Sequence, residues 1–290
     1  MGDLLALLLE PISYEFMQRG LLASVMVGVL CAMVGCYVVL RGMAFLGDAL
    51  AHAILPGVAV AYLLRGDLLV GALVASVLVA LGIGFFSRQG QVREDTAIGI
   101  MFAGALALGV ALMSTIRTYT ADLTHILFGN VLGVGERDLW LTGGLGLLVL
   151  MAVVALYKEF LLISFDPVLA AALKMPTDLL RNLLLVLLAL TVVVSLQTVG
   201  VGLVAAMLVT PAATAYLLTR RLAQMMAVAS LIGAFSSLVG LYASFYANVA
   251  SGAAIVLTCT AVFVLTYLLA PSRGLLWDAV RARGVARTAG

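Results

Sequence analysis

The chain has 290 residues, of which 64% are hydrophobic and only 10% charged, and its mean hydropathy is +1.21. This composition excludes a soluble globular domain. The net charge of +2 is too small, and the Lys and Arg residues too scattered, for a nucleic-acid-binding protein. We therefore predict an all-α, polytopic membrane protein with about eight to nine spans.

The first part of the chain contains an N-terminal stretch and four apolar segments. Residues 1–20 are predicted to form an interfacial segment, with the transmembrane domain running from 21 to 270. Short polar turns separate the segments, and each segment is long enough to cross a bilayer. The predicted spans are residues 21–40, 43–64, 68–86 and 95–116.

The second span carries an aspartate and a histidine, Asp48 and His52, within otherwise apolar sequence. Residues four apart share one face of a helix, so the two side chains are predicted to lie together. Ionisable groups inside a membrane are costly and usually face a bundle interior or a watery path. The pair could ligate a divalent metal, relay protons, or join two helices by a hydrogen bond.

Residues 117–138 do not have the pattern of a helix that fully crosses the membrane. Apolar residues alternate there with Asp122, His125 and several glycines, which favours a short amphipathic or re-entrant element. Asp122 and His125 could anchor the start of this element or form an entrance site for an ion. The fifth span is predicted at residues 139–157.

The loop at 158–178 contains a helix signal of its own. Asp166 is a good N-cap, Pro167 suits the first helical position, and residues 168–173 are helix-forming. Pro176 is predicted to end this short helix.

The last third of the chain supplies the remaining spans. Residues 183–219 contain no charge and are too long for one crossing, so they are predicted to divide near 197–202. Two further spans follow at 222–246 and 251–270, and residues 271–290 form a basic tail. Nine spans result.

The distribution of Lys and Arg predicts the orientation. The positive-inside rule assigns to the cytoplasm Arg41, the loops 87–94 and 158–178, the turn with Arg220 and Arg221, and the tail. The element at 117–138 then lies outside, where apolar side chains can close a narrow path. The predicted outer gate consists of Asp122, His125, Leu127, Phe128 and Val131.

The sequence shows no enzyme motif. A GxxxxGK[ST] phosphate loop is missing, as are HExxH and GxSxG. We predict a transporter subunit that is not itself an enzyme, so a partner must supply any ATP hydrolysis.

Four stretches resemble a known family. They are residues 43–57 (MAFLGDALAHAILPG), 94–102 (EDTAIGIMF), 125–130 (HILFGN) and 197–216, which contains TPAATA. Together, and in this order, they resemble the permease subunit of bacterial ABC importers for manganese and zinc. The resemblance extends from about residue 10 to 270.

The resemblance implies an assembly. It consists of a homodimer of this subunit in the lipid of the bacterial cell membrane, two cytoplasmic ATPase subunits and an extracytoplasmic metal-binding protein. The resemblance implies no permanently bound cofactor, with Mn²⁺ or Zn²⁺ as the transported ion. The fold is expected to be distantly similar to that of vitamin B12 and iron-siderophore importer permeases, with fewer spans.

The resemblance also implies roles for particular residues. Asp48 and His52 match the family's aspartate and histidine and would ligate the metal at the homodimer axis. Mn²⁺ is favoured over Zn²⁺, because the sequences of residues 94–101 and 53–56 are closer to those of the manganese branch of this family. A proton-coupled secondary transporter that uses the same pair is the alternative. The short cytoplasmic helix would couple to the ATPase through Asp166, Pro167, Val168, Leu169, Ala172 and Leu173.

Overall fold

The computed structural model describes residues 10–88, 92–115 and 131–270. Over these residues the chain is helical and has no β-strand. Short 3-10 helices lie at Pro11–Ser13 and Val131–Gly133. The α-helices are α1 (Glu15–Leu40), α2 (Leu46–Leu63), α3 (Leu68–Phe86), α4 (Glu94–Ser114), α5 (Glu136–Ala155), α6 (Tyr157–Phe165), α7 (Pro167–Ala172), α8 (Thr177–Val199), α9 (Val201–Leu218), α10 (Leu222–Ala247) and α11 (Ser251–Leu269).

Eight of the described helices are long and apolar enough to cross a membrane, and α9 is a shorter apolar helix. The prediction of eight to nine spans is confirmed. The charge-free stretch divides at Gly200, whose φ of +82° ends α8 before α9 begins. Glycine is suited to this position because it has no Cβ to clash in the left-handed region. The break lies within the predicted interval 197–202.

The first helix begins earlier than predicted. α1 starts at Glu15 instead of residue 21, after an extended Tyr14. A carboxylate in the first turn stabilises a helix N-terminus, which is why residues 15–20, with their mixture of polar and apolar side chains, can extend the span. The predicted interfacial segment therefore overlaps the helix. Residues 1–9 and the basic tail at 271–290 lie outside the described residues.

The bundle is built around α1, α2 and α8. α1 packs against α5, α8, α9 and α10, while α2 packs chiefly against α3 and α4. Two-thirds of the residues in the most apolar windows of α1, α2 and α8 are buried, against 22% for α4 and α5. The helix that carries Asp48 and His52 is thus one of the most enclosed.

Small residues let α2 approach its neighbours closely. A Cβ on Gly57 of α2 would collide with the backbone carbonyl of Gly71 on α3, and the reverse also holds. A Cβ on Gly109 of α4 would lie 3.1 Å from the ring of Pro56. Close approach of this kind is how helices associate in lipid, where no hydrophobic force drives them together.

We expect Gly57→Ala to destabilise the purified protein, because the added methyl group must push α2 and α3 apart. Overpacking of this kind costs about 1–3 kcal/mol. The matched control is Gly104→Ala on α4, where nothing lies within 4 Å of the new methyl group. The control should melt at the same temperature as the wild type or slightly higher. Equal melting temperatures in detergent for the two variants would contradict the packing described.

Charged side chains mark one end of the bundle, which we call the basic end. It is formed by Arg41, Arg88, Glu94, Asp178 and Arg181, which make ion pairs with one another. These contacts bring together the turn after α1, the α3–α4 connection and the start of α8, as the alternation of spans predicts. At the opposite end Arg19 pairs with Glu136.

Candidate functional site

Asp48 and His52 lie in the first turns of α2, close to the basic end. α1 ends at Leu40, and Gly42, with φ of +71°, reverses the chain so that α2 can begin at Leu46. At 1.5 Å per residue, His52 is about 9 Å along an α2 that is about 27 Å long. The turn therefore places the pair within the span and toward one end of the bundle.

The structure confirms that the two side chains share one face of α2. His52 Nδ1 lies 3.0 Å from the backbone carbonyl oxygen of Asp48 and 3.5 Å from its carboxylate Oδ1. A carbonyl oxygen can only accept a hydrogen bond, so a hydrogen bond between these two atoms requires the proton on Nδ1. Nε2 is then the ring nitrogen left to face a ligand, and imidazole binds a metal through a ring nitrogen of its neutral form.

One side of the Asp48–His52 pair is exposed, and the other side contacts α4. The Asp48 side chain is 50% exposed and that of His52 is 27% exposed, although most of α2 around them is buried. Phe102 of α4 meets the imidazole edge to face, with ring centroids 5.6 Å apart. An aromatic contact of this geometry helps to hold a ring in orientation. His52 is positioned by its own helix and by α4.

The described part of the chain brings no third ligand to the pair. No group of three His, Cys, Asp or Glu side chains in it could hold a metal ion. Cys31, Cys36 and Cys259 are buried free thiols. One carboxylate and one imidazole are too few for Mn²⁺ or Zn²⁺, which take at least four ligands.

The predicted short cytoplasmic helix is present as α7. Asp166 caps it, accepting a hydrogen bond of 2.8 Å from the Leu169 amide, and Pro167 occupies the first turn. The helix ends at Ala172, a few residues ahead of Pro176. Lys174 adopts a left-handed conformation with φ of +56°, and the Met175 amide donates to the Ala170 carbonyl. This is the hydrogen-bond pattern of a Schellman cap.

Apolar side chains of α7 point away from the rest of the chain. Ala170 is fully buried, whereas Val168 is 78% exposed and Leu173 is 60% exposed. Leu169 and Ala172 are exposed as well. Apolar surface of this kind at the edge of a bundle is typical of an interface with a partner.

Most of the predicted outer gate lies outside the described residues. This applies to Asp122, His125, Leu127 and Phe128. Val131 is described and is buried in the 3-10 helix, where its carbonyl oxygen lies 2.9 Å from the position of a Cβ on Gly20. The gate stays a prediction.

The structure also shows a charged network that the sequence reasoning missed. Arg41 Nη2 donates to Glu94 Oε1 at 2.6 Å, and Arg181 Nε lies 2.9 Å from the same oxygen. Arg181 Nη2 also donates to the Ser87 carbonyl at 2.9 Å. Burial lowers the pKa of the Arg41 guanidinium, and the neighbouring Glu94 opposes this shift. In the sequence, the sign of this network is that its charged residues lie at the ends of separate spans.

A cavity of about 490 Å³ adjoins this network at the basic end. Its lining includes Arg41, Glu94 and Arg181, together with Pro167 at the start of α7 and Asp178 on α8. The charged network and the exposed short helix therefore border the same space.

Comparison with known proteins gives concordant matches. The ABC 3 transport family profile matches residues 13–270. The manganese transport system membrane protein MntC of Halalkalibacterium halodurans is 45% identical over 96% of this chain and 97% of its own. A Haemophilus influenzae protein described as a probable iron transport system membrane protein is 42% identical over 89% of this chain and 95% of its own.

Two solved structures are similar in fold. PsaBC from Streptococcus pneumoniae, in complex with Fab, aligns with a TM-score of 0.81 and 40% identity over 93% of this chain and 97% of that one. An inward-facing metal-chelate type ABC transporter aligns with a TM-score of 0.67 and 18% identity over 86% of this chain and 85% of that one. The second likeness concerns the fold alone, and it confirms the predicted fold class, an all-helical membrane protein similar in fold to an importer permease of this type.

Proposed function

Because this chain belongs to the ABC 3 transport family, as the membrane-spanning permease of a bacterial metal-importing ABC transporter, we propose that it carries Mn²⁺ past Asp48 and His52 at a homodimer axis. Two copies facing each other would offer two carboxylates and two imidazoles, and water would complete the shell. Such a mixed oxygen and nitrogen set suits Mn²⁺.

The observation that carries this proposal is the state of the Asp48–His52 pair. Nδ1 lies against a backbone carbonyl, so Nε2 is the ring nitrogen that can face a ligand, and both side chains are partly exposed at the surface of a single subunit. A hydrogen-bonded pair that merely joined two helices would have its partner within the chain. The open side instead fits a ligand set completed by a second copy.

The identity of the metal rests on chemistry and on relatives. Zn²⁺ also accepts carboxylate and imidazole, and the matched relatives include proteins named for manganese and for iron. The absence of a thiolate beside the described pair favours Mn²⁺ over Cu⁺, and the manganese-named relatives reach the higher identity. Competition by Zn²⁺ and Fe²⁺ against Mn²⁺ uptake measures this preference directly.

The energy for transport is proposed to come from two partner ATPase subunits at the basic end, with an extracytoplasmic protein delivering the ion. The exposed apolar residues of α7 support this arrangement, since they suit a protein interface. The alternative is a proton-coupled secondary transporter, in which Asp48 and His52 would carry protons and no ATPase would be needed.

Uptake of radioactive manganese into proteoliposomes separates these two mechanisms. We expect vesicles that contain the chain with its ATPase to accumulate Mn²⁺ only when ATP is supplied to the ATPase. Vesicles that contain the chain alone should take up no Mn²⁺ when a pH gradient is imposed. Uptake driven by the gradient in the absence of the ATPase would overturn the ATP-driven proposal and favour the secondary transporter.

A further inference from the structure

We propose that Glu94 is a positioning residue that transmits movement of α7 to the metal pair through α4. This inference rests on the proposed function, because it assumes that a partner ATPase moves α7 and that Asp48 and His52 hold the ion. Three contacts carry it, and together they form a continuous path from the basic end to His52.

The first contact joins α7 to α8. Only residues 173–176 separate the two helices, and within this turn the Thr177 amide donates to the Met175 carbonyl at 2.8 Å. Arg181 lies in the second turn of α8, and it lines the same cavity as Pro167 of α7. Because this connection is short and hydrogen-bonded, a displacement of α7 must move the start of α8.

The second contact joins α8 to α4 at Glu94. The Glu94 carboxylate oxygen is shared by Arg181 of α8 and by Arg41 at the end of α1. The side chains of Arg41 and Arg181 are 10% and 17% exposed, and that of Glu94 is 27% exposed, so solvent screens these charges little. Without the carboxylate, two guanidinium groups would face each other and repel. Glu94 therefore ties the starts of α4 and α8 to the end of α1.

The third contact joins α4 to the metal pair. Glu94 is the first residue of α4, and Phe102, which meets the His52 ring, lies eight residues further along the same uninterrupted helix. At 1.5 Å per residue this is a rise of about 12 Å. α4 also packs along α2 over much of its length. A shift of α4 at Glu94 would reach the imidazole through a rigid element.

A second ion pair at the basic end provides a matched control. Arg88 Nε lies 2.6 Å from Asp178 Oδ2, which links the end of α3 to the start of α8. Its side chains are 61% and 46% exposed, so water and salt screen the pair. It borders the same cavity but links α3 to α8, whereas the Glu94 ion pairs link α4 to α8 and to the end of α1, and we assign it no part in transmission.

The test uses the transporter assembled with its ATPase and loaded with Mn²⁺, and it reads the electron paramagnetic resonance spectrum of the bound ion. In the wild type we expect the spectrum to change when the ATPase is trapped with ATP and vanadate. In Glu94→Gln the Mn²⁺ should still bind and ATP should still be hydrolysed, but the spectral change should disappear. The number of ions imported per ATP should fall at least tenfold.

Two further variants define the specificity. Asp178→Asn should keep the spectral change and the import ratio, and Glu94→Asp should restore part of both. Phe102→Leu leaves the ion pairs intact and should also abolish the spectral change, which keeps the test informative if Glu94→Gln does not fold.

Several outcomes would overturn the proposal. The first is a wild-type spectrum that does not change with the nucleotide state of the ATPase. The second is a Glu94→Gln complex whose spectrum still changes and whose import is normal. The third is a Glu94→Gln complex that has only lost its ATPase. For Phe102→Leu, an unchanged nucleotide response would have the same consequence. A wild-type complex that binds and imports no Mn²⁺ would instead refute the proposed function, so the two failures are distinguishable.

Discussion

Asp48→Ala and His52→Ala are each expected to reduce Mn²⁺ uptake to the background of vesicles without ATP. Each substitution removes one ligand type from both copies, so two of the four proposed protein ligands are lost at the dimer axis. Loss of a group that only supports a metal ligand typically costs about 10–100-fold in affinity, and loss of a ligand should cost at least as much. Because both side chains are partly exposed, assembly and basal ATP hydrolysis should persist.

The matched control is Val60→Ala, which truncates an exposed apolar residue on the same helix and should leave uptake unchanged. Direct binding adds a second readout, with one Mn²⁺ expected for every two chains in the wild type and none in either variant. Normal uptake by both variants would mean that Asp48 and His52 have only a structural role. One ion per chain would contradict a site shared between copies.

Leu173→Asp is expected to detach the ATPase from the purified complex, or to leave ATP hydrolysis without transport. Leu173 caps the end of α7 and is 60% exposed in the single chain, so the substitution should not unfold the permease. If a partner covers this residue, the new carboxylate is buried at a cost of several kcal/mol, about 2–7 for an unpaired polar group alone. Co-purification of the ATPase and the uptake assay measure the two results.

Val249→Asp is the control for this experiment. Val249 is 52% exposed in the turn between α10 and α11, at the end of the bundle away from α7. The same change of apolar side chain to carboxylate there should leave the ATPase bound. If Leu173→Asp retained both the ATPase and transport, the contact would lie elsewhere on the basic end. Val168→Asp, at the most exposed position of α7, would then test the neighbouring surface.

Several features of this protein could be predicted from the sequence because they depend on local properties of the chain. Hydropathy and length define the spans, and the charge-free stretch divides where a glycine permits a left-handed turn, at Gly200. A spacing of four residues places Asp48 and His52 on one face of any helix. Asp166 followed by Pro167 favours the start of a helix through local capping, and the structure has α7 there.

Other features required the tertiary structure, because they join residues far apart in the chain. Arg41 and Glu94 are 53 positions apart, and Arg181 and Ser87 are 94 apart. No periodicity connects such residues, since their contact depends on which helices pack together and at what height. The same holds for Phe102 against His52, which follows from the packing of α4 on α2.

The contrast is sharpest at the metal pair itself. The sequence determined that a carboxylate and an imidazole lie together inside a membrane span, because helix geometry alone enforces it. Only the structure decided that Phe102 of α4 lies against the imidazole, and that the pair opens toward the surface of a single subunit. Aromatic packing and exposure depend on helices brought together by folding, and these turn a polar pair into a candidate half-site for a metal.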